Sequence, residues 1–224
     1  MEQANDNFRK IIIASVNVTA KFNESSHKLF TDFVQYGWYI NPSTNILDFL
    51  EVIDYIKSNN RDKINEFFIN HLKKDYQILK KQALDNFIDK KTILEKGFSS
   101  FENMQYEFSI LIFLSQIDSI SKQVSGYRLF GREKKQAKTK NFVDKHYNKT
   151  SFQSAILQPL ADYGEINKAE DSFVEGELNR HRVIHGEDIN YGTELNAYKV
   201  LSLVFYLTTL VIKVADSKSI VQSL

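Results

Sequence analysis

Apolar residues recur along this chain at the three-to-four-residue spacing of a helix. Ile46, Leu47, Phe49, Leu50, Ile53 and Ile56 are interleaved with Asp48, Glu51, Asp54 and Lys57, the stripe of an amphipathic helix. Pro42-Ser43-Thr44 supplies its start signal. Ile64, Phe67, Phe68, His71, Leu72, Tyr76, Leu79 and Ala83 carry the same period onward. Ile110 to Leu114 is apolar on every side and, with Phe108, Ile117 and Ile120, predicts a central buried helix. Near the C-terminus, Val200 to Ile212 is uncharged and mostly apolar. It falls short of the roughly 20 residues a bilayer span requires, so it predicts a buried helix. Ile11 to Thr19 is rich in β-branched residues and suits either a strand or a buried helix; no second strand offers itself as a partner, which favours helix.

Punctuation agrees with that pattern. The 224 residues hold two prolines and eight glycines, and no proline falls between Ser43 and Gln158, which favours long helices over a turn-dense sheet protein. The predicted fold is all-α, an antiparallel helical bundle. We divide it into an N-terminal helical region, 1–91, without a legible motif, and a region 92–224 that carries the candidate chemistry. In Tyr36-Gly37-Trp38-Tyr39 the aromatics read as core rather than as a base-stacking platform.

Composition narrows the function classes. With 42% hydrophobic and 13% aromatic residues the chain is too apolar for disorder. The absence of cysteine removes disulfides, thiolate metal sites and a cysteine nucleophile. MEQANDNFRKIII sets acid before base and lacks an apolar run with a cleavage site; the expectation is a soluble cytoplasmic protein. The net charge of +1 is a cancellation. Gly126 to Thr150 holds Arg128, Arg132, Lys134, Lys135, Lys138, Lys140, Lys145 and Lys149 against Glu133 and Asp144, a net of +6. That segment predicts an exposed loop or short surface helix, either a solvated connector or a footprint for phosphate.

The richest stretch chemically is Glu177-Leu178-Asn179-Arg180-His181-Arg182-Val183-Ile184-His185-Gly186. Gly186 suits the residue just past a helix end, and Thr193 suits an N-cap for the apolar helix that follows. Imidazole can exchange a proton near neutrality, and a guanidinium can clamp a phosphate. With RNA the 2′-hydroxyl is the nucleophile, so neither metal nor cofactor is needed. Two other readings use the same residues. The cluster could simply complement a helix C-terminus. Alternatively, Glu177, His181 and His185, at i, i+4 and i+8, could stack on one helix face and offer ligands to zinc or iron. Three such groups span about 12 Å, so only an adjacent pair could grip one ion. His27, His71 and His146 stand alone.

At these residues the chain resembles the HEPN superfamily of helical domains, whose signature is an arginine, four to six residues, then a histidine. Arg180 and His185 match it with His181 in the polar place, in the longer string Leu178 to Gly186 followed by Tyr191-Gly192-Thr193 and Asn196. An upstream helix of the type Ile93-Leu94-Glu95-Lys96-Gly97-Phe98, continuing to Leu114-Ser115-Gln116-Ile117-Asp118, accompanies it. The resemblance implies a homodimer in which two Arg–His motifs meet, and a metal-independent endoribonuclease leaving 2′,3′-cyclic phosphate ends, with an antitoxin or anti-phage defence system as partner. Carried over, Arg180 would polarise the scissile phosphate and His185 would act as general acid/base. Asn179, His181, Arg182 and Tyr191 would orient substrate, with Arg128, Arg132, Lys134, Lys135, Lys138 and Lys140 binding RNA. Many such domains are non-catalytic dimerisation or binding modules, the alternative here. Two features depart from the pattern: no His-x-Tyr extension follows, and Ser119 stands after Asp118 where relatives often have glycine, which argues against a supporting acid there. The motif neighbourhood is also acidic, Glu165 to Asn196 carrying a net of −5, a field that would repel RNA.

Overall fold

The helical period becomes a bundle in a computed structural model that describes residues 28–41, 50–133, 136–146, 155–161, 164–168, 174 and 176–221. In chain order the helices are α1 (28–35), α2 (Leu50–Lys57), α3 (Arg61–Asn86), α4 (Lys91–Glu102), α5 (Tyr106–Ser125), α6 (Lys140–His146), α7 (Arg180–Ile184) and α8 (Glu194–Val221). Ile11 to Thr19 and Pro42-Ser43-Thr44 lie outside the described residues. Local chemistry sets several ends. Asn60 caps α3 by accepting from the Lys63 N–H at 3.2 Å. Gly126, at φ 83°, closes α5. Thr193 Oγ1 accepts from the Asn196 N–H at 3.1 Å and starts α8.

The apolar faces meet in one core that draws side chains from both sides of residue 91. α8 packs between α3 and α5, and α4 lies on α5. Phe98 sits 5.0 Å from Phe113 and 5.9 Å from Phe205, ring centre to ring centre. Gly97 permits the α4–α5 approach: a Cβ there would come within 2.7 Å of Phe113 Cε1. Trp38 is fully buried, stacks on Phe68 and donates from Nε1 to Asn65 Oδ1 at 3.0 Å. Val200 to Leu210 is buried along its whole length. Among the described residues no helix is long and apolar enough to cross a membrane.

Two expectations change. α5 is not covered on every side: Phe108 is 61% exposed and Leu111 37%, beside Met104 at 73%. The basic segment is more than a loop with a helix. Arg132–Glu133 pairs antiparallel with Gln136–Ala137, and Leu129, Phe130, Ala137, Phe142 and Val143 bury their side chains, so its apolar residues anchor it to the bundle.

Candidate functional site

The site is built from three segments brought together by the bundle. On α5, Asp118 Oδ1 accepts from the Phe130 N–H at 2.9 Å. This fixes the turn after α5, and the Phe130 ring lies 4.3 Å beneath the Arg180 guanidinium, a cation–π arrangement. Arg180 opens α7, whose N-cap is Asn179. Asn179 Oδ1 accepts from the N–H groups of His181 (2.9 Å) and Arg182 (3.3 Å), and its Nδ2 donates to the Lys168 carbonyl at 3.3 Å. With 1% exposure and both ends of its amide engaged, Asn179 orients the motif through the backbone.

Arg180 is held over the Phe130 ring. Its Nε is buried without a partner, and among the described residues no carboxylate pairs with its guanidinium. Burial pushes its pKa down; the charge of Asp118 opposes this and that of Arg132 adds to it. Asp118 thus bears on Arg180 in two ways, by its charge and by holding Phe130. The guanidinium faces a cavity of about 360 Å³ lined by Arg132, Asn167, Lys168 and His181 over an apolar base of Phe130 and Ile166. Among this described lining there is no carboxylate. Arg132 Nη2 donates to the Asn167 carbonyl at 2.9 Å.

His185 is the C-cap of α7, its N–H donating to the His181 carbonyl at 3.0 Å, and Gly186 follows at φ 74°. Its ring centre is 4.3 Å from that of His181. His185 is exposed and does not line the cavity, whereas His181 does. Arg182 also lies outside the lining, with its Nε 3.8 Å from Glu187. Tyr191 is not brought to the cavity at all. Burial pushes its hydroxyl pKa up, with the charges of Glu107 and Asp188 adding to this, and Glu107 is 11 residues, about 16 Å, along α5 from Asp118.

Of the eight acids around the motif, Glu165 and Glu177 are buried. Glu187 and Glu194 are exposed, Asp188 is half-buried, and Glu170, Asp171 and Glu175 lie outside the described residues. Glu165 accepts from Lys199 Nζ, from Arg61 Nη1 (3.4 Å) and from the Leu178 N–H (3.1 Å). Glu177 accepts from Arg61 Nη2 (3.0 Å) and Lys168 Nζ. Burial pushes the Lys199 ammonium pKa down, with Glu165 opposing. Because Asn179 begins α7, Glu177 lies outside the helix, which undoes its stacking with His181 and His185. Among the described residues no group of three His, Asp or Glu side chains could hold a metal ion. Of the predicted RNA-binding cations, Arg132 lines the cavity. Arg128 and Lys138 are exposed and Lys140 is half-buried, all three away from it. Lys134 and Lys135 lie outside the described residues.

Fold and site together define an all-α protein with a cavity whose described lining is basic and without a carboxylate, built on an Arg–His helix. No family model, curated protein or solved structure matches the chain. Sequence reasoning missed Phe130, Asn167 and Lys168. The Arg–aromatic stack spans 50 positions, and no local spacing marks such a pair.

Proposed function

We propose that the chain is a metal-independent endoribonuclease of the HEPN type. The observation that supports this best is Arg180, stacked on Phe130 with a buried, unpartnered Nε, facing a cavity with two further cations beside two touching imidazoles. A desolvated guanidinium with donors to spare suits charge that develops on a phosphorane. In the reaction His185 takes the 2′-hydroxyl proton as the 2′-oxygen attacks phosphorus. The P–O5′ bond breaks, the 5′-oxygen recovers a proton from the second imidazole, and a 2′,3′-cyclic phosphate remains. In this reading two copies pair around the motif, and Ile184 (44% exposed) and Ile189 (82%) flank it with apolar surface suited to that role.

Purified protein incubated with RNA and EDTA is expected to cut it. Arg180→Ala is expected to slow cutting by about 10²–10³-fold and His185→Ala by about 10²–10⁴-fold. Retained cleavage in both variants overturns the assignment. A second reading, a non-catalytic helical interaction module, draws on the exposed Met104, Phe108 and Leu111 and predicts no cleavage by the wild-type chain.

A further inference from the structure

The cavity at Arg180 does not end at the motif. Lys168, which lines it, also lines a second cavity of about 460 Å³ on the side of α1 and α2. There the described lining includes Lys28, Lys57, Arg61 and the half-buried Tyr36, against a single carboxylate, Asp32. The Arg61 guanidinium sits 5.0 Å over the Tyr36 ring, while its Nη atoms hold Glu165 and Glu177 from behind. Trp38 and Tyr39 are core, as the sequence suggests, but Tyr36 is half-buried and lines this cleft beneath Arg61; cations that follow a backbone, interleaved with an aromatic side chain, are the ingredients of single-strand binding. Lys57 has a neighbour in Asp54 at 3.2 Å, an exposed pair that a phosphate can displace at little cost.

We infer that a single RNA strand runs from the motif through the Arg132–Lys168–Arg180 cavity and over Lys168 into the Tyr36–Arg61–Lys57–Lys28 cleft. The inference deepens the ribonuclease reading and rests on it for the position of the cut. On this path the N-terminal helices hold the part of the strand that flanks the scissile phosphate. The bridging residue is Lys168, whose ammonium is steered by Glu177 and whose carbonyl is tied to Asn179, so the track and the α7 cap share one anchor.

The test is binding of the full chain to 2′-O-methyl oligonucleotides, which lack an attackable hydroxyl, at about four and about sixteen nucleotides across a salt series. The wild type is expected to hold the long probe more tightly than the short one. Lys28→Gln/Lys57→Gln, a change of two exposed side chains, is expected to weaken the long probe about tenfold, to lower its salt slope by about 1.4, and to leave the short probe unchanged. Arg132→Gln is expected to weaken both lengths, with Arg132→Lys restoring them. Equal affinity of the wild type for both lengths, no binding, or an unchanged long probe in the double variant overturns the track. The two readings fail separately. Length-dependent binding without cleavage of the ribose oligonucleotide leaves the track standing and removes the nuclease; cleavage without the length dependence does the reverse.

Discussion

Asn179 shows how one buried amide can govern a site it does not enter. It satisfies two N–H groups at the start of α7, so Asn179→Ala is expected to cost about 1 kcal/mol in urea unfolding, and Asn179→Asp does not rescue the site because a buried carboxylate cannot donate to the Lys168 carbonyl. Ala and wild type unfolding at the same urea concentration contradicts the capping role. Arg180 sits over the Phe130 ring; a lysine there keeps the charge but not the planar fork of donors that holds a phosphate in two places, so Arg180→Lys is expected to lose most cleavage. Gly186 and Thr193 were legible as caps because their rules act over three or four residues. The Asp118–Phe130 bond and the Lys168 carbonyl were not, because each depends on how distant segments pack.

At the scale of elements, periodicity located the helices and caps bounded them. The stripe from Ile64 to Ala83 lies within α3, and the apolar run after Val200 within α8. Periodicity does not say what covers a stripe, and on α5 the Phe108 side faces out. Spacing also misled where a cap overruled it: Glu177, His181 and His185 share a face only on a continuous helix, and Asn179 starts that helix two residues too late. Where α4 meets α5 the fit is tightest at Gly97, so Gly97→Ala is expected to destabilise the fold by about 1–3 kcal/mol through overpacking against Phe113. An unaltered denaturation midpoint contradicts that packing.

Across the whole molecule, a charge count by segment does not give depth. Of the acids behind the −5 around the motif, Glu165 and Glu177 face inward and pair with Lys199, Arg61 and Lys168, while Glu187 and Glu194 stay exposed. Lys199→Met strips Glu165 of its most buried partner and is expected to cost about 3–5 kcal/mol. Adding Glu165→Gln, which can still accept from Leu178, is expected to recover part of that loss; no recovery contradicts a charge origin. Attack by the 2′-hydroxyl at Arg180 and His185 is decided by an oligonucleotide with a single 2′-deoxy residue on the 5′ side of a mapped cleavage site, digested in EDTA beside its all-ribose twin. A 2′,3′-cyclic phosphate is expected at that site in the twin and no cut there in the deoxy strand; cleavage at the deoxy position, or an intact twin, overturns the proposed reaction.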